Sequence, residues 1–249
     1  MRVLDNAIYV EANHMNFSSS VRKKEAVRYV VCHYTGNIND TARNNAVYFR
    51  DNAVQSSAHF FVSDITIYQS VPLNHAAYAV GLGARKQPYF KWPSMWKKIT
   101  NSNSISIEMC GSKNSREASD KTKETAAALV ADILDIYGLT PSAVYRHYDV
   151  TGKCCPAWCV TDPLNWIDFM LKVNNYYCGE GDKMKDTQEN YNLFKTWMKR
   201  YEDEKAAQSA AWANDAMTYC QGRGLINEGR PNSYVTRAEL ATVIMRMNG

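Results

Sequence analysis

The sequence predicts an α/β fold, a mixed central β-sheet flanked by helices, followed by a small α-helical C-terminal unit. Three observations carry that prediction. Short apolar runs alternate with amphipathic stretches over the first two-thirds of the 249 residues, the pattern of strands covered by helices. Ser104 to Cys110 alternates cleanly, with Ile105, Ile107 and Met109 on one face and Ser106, Glu108 and Cys110 on the other. Around Cys178-Gly179-Glu180-Gly181-Asp182-Lys183 the pattern breaks into a polar, glycine-containing linker.

The elements follow in order. Ala26 to Tyr34 is an apolar, β-branched run that reads as a buried strand. Thr41 to Gln55 places Ala42, Ala46, Val47, Phe49 and Val54 at broadly helical spacing. Residues 58–64 and 65–69 read as two strands joined around a turn at Asp64, with Phe60 and Phe61 as core. Thr122 to Tyr137 has an Ala/Leu/Ile face and a C-terminal stop at Gly138. Ala143 to Arg146 is a short strand that delivers His147 into a loop at Gly152. Asp162-Pro163 starts another helix, with Asp as N-cap and Pro in the first turn. The expected domains are 1–178, a linker with a charged helix over 179–211, and a compact unit over 212–249.

Composition narrows the class. Hydrophobic content of 45% and charged content of 22% are ordinary for a soluble globular protein. No apolar run approaches the roughly 20 residues of a membrane span. The N-terminus has no apolar segment of the kind a secretory signal needs, so synthesis in a reducing cytoplasm is expected. Seven cysteines, an odd number, agree with free thiols over a disulfide framework. Residues 180–249 carry ten basic and ten acidic side chains, so the net charge of +4 resides in residues 1–179. A mildly basic front part suits a polyanionic surface such as a bacterial wall. Nucleic acid fits less well, because no Lys/Arg cluster is interleaved with aromatics.

The stretch from Arg146 to Pro156, Arg-His-Tyr-Asp-Val-Thr-Gly-Lys-Cys-Cys-Pro, carries the most chemistry. It sets an imidazole, an ammonium and a thiol beside a turn-forming glycine. His147 and one of the two cysteines are natural zinc ligands, and Lys153 can stabilise negative charge developing beside the metal. A catalytic zinc takes a third protein ligand and keeps one position open. His33, in Tyr29-Val30-Val31-Cys32-His33-Tyr34-Thr35-Gly36-Asn37, is the candidate, so the fold would assemble the site from distant segments.

These motifs, with Ser57-Ala58-His59-Phe60 and Asn103-Ser104-Ile105-Ser106-Ile107-Glu108, resemble type 2 N-acetylmuramoyl-L-alanine amidases, over roughly residues 20–175. That family includes the zinc amidase domains of phage endolysins and clostridial autolysins. The resemblance implies a zinc amidase or peptidoglycan-recognition-like fold. It also implies Zn2+ as cofactor, peptidoglycan as partner, and hydrolysis of the amide joining N-acetylmuramic acid to L-alanine. By position, the zinc ligands fall on His33, His147 and Cys155, the acid/base carboxylate on Glu108, and the family's lysine on Lys153. Some members have a tyrosine where this chain has Ala58, and several have a histidine within the segment matching Tyr78-Ala79-Val80-Gly81. His75 is out of register with the latter. His59 is then structural or substrate-facing. Residues 212–249 resemble a single S-layer-homology repeat, with Val235-Thr236-Arg237-Ala238-Glu239-Leu240 matching its signature. Such a repeat implies a secondary wall polymer as a second partner, with Arg237 as the ligand-binding residue, and a possible homo-oligomer that rebuilds a three-repeat set.

Plainer readings stand beside these. His33 could be a core histidine, Glu108 half of a structural ion pair, and Lys153 an exposed loop lysine. Cys154 and Cys159 could join Cys155 and His147 in a structural zinc knot. Thr236 with Glu239 forms a capping box whatever the unit binds. A peptidoglycan binder without catalysis, an S-layer-anchored structural protein and a wall-recycling amidase are the competing functions. A phage endolysin, held in the host cytoplasm until release to the wall, fits the missing export signal best.

Overall fold

A computed structural model of the chain describes residues 2–81 and 93–179, with three isolated positions at 196, 199 and 203. The chain divides into two units, 1–187 and 188–249, and the elements below belong to the first. The proposed C-terminal repeat, Arg237 and most of the charged helix expected over 188–208 lie outside the described residues.

Six strands form one mixed sheet: β1 (Ile8–Tyr9), β2 (Tyr29–Tyr34), β3 (Phe60–Ser63), β4 (Thr66–Gln69), β5 (Ser104–Met109) and β6 (Val144–Arg146). Their order is β1-β4-β3-β5-β2-β6. Only the β3–β4 hairpin is antiparallel, turning at Asp64 with φ of 44°. Strands β3, β5, β2 and β6 run parallel, so their carboxyl ends share one edge. The helices are α1 (Ala42–Asp51), α2 (Asp120–Tyr137), α3 (His147–Thr151), α4 (Ala157–Thr161) and α5 (Pro163–Cys178). No helix among the described residues is long and apolar enough to cross a membrane.

Local chemistry explains the element ends. Thr41 accepts from the Asn44 amide at 3.1 Å to start α1, and Ser119 does the same for α2 from Thr122 at 3.1 Å. Gly138 closes α2 in the left-handed region. Strand β2 begins at Tyr29, three residues later than the hydrophobic run suggests. Its parallel partner begins only at Ser104, after a 3₁₀ turn, so Lys24–Ala26 closes a 3₁₀ turn of its own.

One expectation is corrected. His147 opens a short helix, α3, where the glycine and proline of the motif suggested a loop. The Asp149 carboxylate accepts the Arg146 amide at 2.8 Å and starts that turn, and Gly152 (φ 76°) stops it. Helix α4 was equally hidden by Pro156.

Both faces of the sheet are covered. Ser104 and Ser106 on one face are as buried as Ile105, Ile107 and Met109 on the other. Ala42 and Ala46 of α1 pack on Phe61, Tyr68 and Cys110. Val31 packs with Val80, Ile99 and Val150.

The loops leaving β2 and β5 meet closely at Gly111. A Cβ there would lie 1.8 Å from the Asn37 carbonyl oxygen and 2.8 Å from that of Ser115. Both obstacles are backbone, so relief requires the two loops to part. Gly111→Ala is expected to destabilise the protein by at least about 1–3 kcal/mol, the usual range for forced overpacking. Denaturant midpoints check this, and an unchanged midpoint would refute the close approach.

Candidate active site

The carboxyl ends of parallel strands are where open α/β sheets present ligand sites, and the motif residues collect there. His33 is the penultimate residue of β2. Its Cα partner in β5 is Glu108, so both side chains emerge on one face. Strand β6 pairs Arg146 with Cys32, which sets His147 one step beyond, at the same edge. A hydrogen bond from the Tyr148 amide to the Cys155 carbonyl, 3.0 Å, folds the Gly152 loop back over α3. That return brings Cys155 beside the two histidines.

The donor atoms of His33, His147 and Cys155 lie within 4.8 Å of one another, and all three residues are buried. The two imidazoles meet edge to face, Nδ1 to Nδ1, at 3.0 Å. Among the described residues this is the one His/Cys/Asp/Glu group so arranged. Glu108 approaches from β5, its Oε1 3.9 Å from His33 Nδ1 and its side chain 21% exposed. Buried atoms here lack hydrogen-bond partners: His33 Nε2, His147 Nε2 and Glu108 Oε2. Unpaired buried polar atoms cost roughly 1–3 kcal/mol each, a cost that a cation bound by the ring nitrogens would offset.

The electrostatics follow from dryness. Burial, reinforced by His147 and Lys153, holds His33 well below the usual imidazole range. Burial and then Lys153 lower His147 to about 3. Burial pushes the Cys155 thiol up, chiefly by removing water from the thiolate. The Glu108 carboxyl is pushed up to about 7 by burial, against the pull of Lys153. Two neutral imidazoles and a buried thiol, converging without a cation among them, form the nitrogen and sulfur set that borderline-soft metal ions prefer over hard, oxygen-seeking ones. Such a donor set fits a metal, which would take the thiol as thiolate on binding.

Lys153 is exposed on the Gly152 loop, and its charge reaches His33, His147 and Glu108. Cys154 is exposed and outside the converging group, while Cys159 is buried with its carbonyl held by Arg146. The alternative cysteine knot is therefore not assembled.

The scaffold under His147 was not anticipated. Arg146, 1% exposed, donates to both carboxylate oxygens of Asp149, from Nη2 at 2.8 Å and Nε at 3.3 Å. Its Nη1 reaches the Cys159 carbonyl at 3.0 Å, and its guanidinium faces the rings of Tyr148 and Trp166. The sequence signal was an arginine three residues before an aspartate, at the spacing of helix neighbours.

His59 lies away from the donor group. Its Nδ1 accepts from the Ser106 amide at 3.0 Å, so Nε2 carries the proton and donates to the His75 carbonyl at 3.1 Å. The Arg22 guanidinium stands 2.9 Å from that ring and is held by the carbonyls of Leu73, Asn101, Ser102 and Ser104. His59 is thus structural. His75 is held in turn by the Ser18 carbonyl at 2.8 Å. Tyr34 stands within electrostatic reach of Cys155, Arg116 and Glu108, and its position next to His33 is the sequence signal for it.

Comparison with known proteins agrees with this geometry. Residues 23–158 match the family described as N-acetylmuramoyl-L-alanine amidase. The chain is similar to N-acetylmuramoyl-L-alanine amidase CwlL of Bacillus licheniformis, 36% identical over 158 residues, covering 61% of this chain and 42% of that protein. It is also similar to N-acetylmuramoyl-L-alanine amidase BlyA of Bacillus subtilis (strain 168), 31% identical over 185 residues, covering 72% and 49%. The chain thus spans less than half the length of these curated relatives. The solution structure of the PlyG catalytic domain superposes with a TM-score of 0.56 at 25% identity, over 69% of this chain and 94% of that one. With its matching segment spanning both histidines, the glutamate and the cysteine of the site, the chain belongs to the N-acetylmuramoyl-L-alanine amidase family.

Proposed function

We propose that this chain hydrolyses the amide between the lactyl group of N-acetylmuramic acid and L-alanine in peptidoglycan, with zinc held by His33, His147 and Cys155. The observation that carries the reading is the convergence of those three buried donors beside Glu108. The substrate comes from the family and from the names of the relatives.

When bound, zinc supplies Lewis acidity, polarising a carbonyl and making hydroxide accessible near neutral pH. The remaining work falls to the chain. His33, His147 and Cys155 fix the reacting centre at the carboxyl edge of the sheet. Glu108, beside the ligand His33, takes a proton from the attacking water and returns it to the alanine nitrogen as that amine leaves. Lys153 faces the developing oxyanion from the solvent side. The pair of Arg146 and Asp149 orients α3 and so the His147 ring.

The domain reading is part of the proposal: a catalytic segment over 1–178, a linker over 179–211, and a wall-binding unit over 212–249. In that unit Arg237 would hold a carboxylate or phosphate of a secondary wall polymer. An endolysin acting on the wall after release from the host cytoplasm fits this arrangement.

Three outcomes test the reading. His33→Ala and Cys155→Ser should each lose bound zinc and activity, while Glu108→Ala keeps one zinc per chain and loses about 10²–10⁴ in turnover. Metal analysis beside wall-clearing assays checks this, and a zinc-replete Glu108→Ala protein with normal turnover would remove Glu108 from its role. Lys153→Met should lower kcat by about 10²–10³ with zinc content unchanged; an unaltered kcat makes Lys153 a surface charge. Digestion of purified walls should release new L-alanine N-termini and stop with a chelator. Reducing sugar ends in their place would mean a glycosidase.

A further inference from the structure

Two loops rise from the carboxyl ends of β2 and β5 and are knitted into one wall beside Glu108. The Thr35 amide donates to the Met109 carbonyl at 3.0 Å, and the Asn39 amide to Ser112 at 3.1 Å. The Ser112 amide donates to Glu117 at 2.9 Å, so the second loop is closed on itself at the same place. Gly111 seals the two against each other at Asn37. Arg116 stands on this wall. It is exposed, and Nη1 donates to the Gly36 carbonyl at 3.2 Å. Gly36 lies under the ring of Tyr34, the residue after His33: a Cβ there would be 3.5 Å from Tyr34 Cζ. Arg116 forms no ion pair among the described residues, whereas exposed Arg2 and Arg50 each pair with an aspartate. Thr35 adds a buried hydroxyl without a partner to the same wall.

The chemistry of the proposed reaction gives this wall a direction. The general acid must reach the leaving nitrogen, and the oxyanion donor must reach the carbonyl oxygen. With Glu108 on β5 and Lys153 on the loop beyond β6, the acyl side lies toward Lys153. The alanine nitrogen and the peptide beyond it lie toward Glu108 and the two loops above it. An anchored guanidinium with free N–H groups is suited to a carboxylate, which it can grip in two places.

We propose that Arg116 is a specificity residue, binding the α-carboxylate of the stem-peptide residue that follows the alanine. The inference rests on the amidase reading above. It makes the enzyme discriminate between stem peptides that carry that group as a free acid and those that carry it as an amide.

The test uses the full, zinc-loaded chain and two synthetic muramyl peptides, identical except for an α-carboxylate or an α-carboxamide on the second residue. The wild type should favour the acid by roughly three- to tenfold in kcat/KM, mostly through KM, the scale of a partly exposed charged hydrogen bond. R116Q should abolish that preference while keeping zinc content and kcat on the amide. K113Q, which removes a cation from the same loop without removing the fork, should keep it. Three results would overturn the proposal: equal cleavage of both peptides by the wild type, an unchanged preference in R116Q, or an equal loss in K113Q. Cleavage of neither peptide by the wild type would overturn the amidase reading itself, and the inference with it.

Discussion

The register of the parallel ladder between β2 and β5 is the constraint on which the site depends. Side chains along a strand alternate between faces, so a slip of one residue would send His33 and Glu108 to opposite sides of the sheet. Burial on both faces enforces the register, because Val30, Val31 and Cys32 and their partners Ile105, Ser106 and Ile107 all lose solvent together. A register shift would press Ile105, Ile107 and Met109 into the space shaped for Ser104 and Ser106, and would bury Glu108 in the opposite core. The geometry of the candidate active site is thereby paid for by the hydrophobic core and not by any interaction within the site.

His147 needs a different support, since it sits past the end of an edge strand with no further ladder to hold it. The buried pair of Arg146 and Asp149 supplies it. Removing two charges from water costs several kcal/mol per ion, and the pairing recovers this only when the remaining hydrogen-bonding groups are satisfied. Here the carboxylate also takes the Arg146 amide, and the guanidinium also takes the Cys159 carbonyl and lies against two aromatic rings. One side chain thus joins β6, α3, α4 and α5. Apolar residues in place of both charges could fill the space, but without the Asp149 carboxylate the start of α3 would be uncapped and the direction of the His147 ring unfixed.

Much of this was legible in the sequence, and the parts that were not have physical causes. Hydrophobic patterning gave α1, α2 and every strand but the two-residue β1, which is too short to show a pattern, and the Asp162-Pro163 start signal gave α5. Convergence of His33, His147 and Cys155 followed from ligand chemistry and family likeness, and the fold does bring them together. Helices α3 and α4 escaped because five residues make little more than one turn, too short for a 3.6-residue period to register. The partners of Arg22 are carbonyls from segments some 50 to 80 residues away, and carbonyls leave no mark on a sequence. Gly111 was silent for a related reason, since its need arises from the backbone of another loop.

The site separates charge from the dry centre. Within it, burial keeps the imidazoles neutral and raises the thiol, so no fixed charge competes with a metal cation for the donors. The cations stand on loops at the rim, Lys153 after α3 and Arg116 after β5, both exposed. A lysine placed in the centre would face the desolvation that depresses buried ammonium groups by several pK units and would forfeit its charge. At the rim it stays hydrated, yet its field still acts on His33, His147 and Glu108, because the medium between them is poor in water and screens little. Burial outweighs that field at Glu108, whose pKa rises despite the lysine. Water exclusion therefore sets the protonation of the centre, and the rim charges are left to meet whatever negative charge enters from outside.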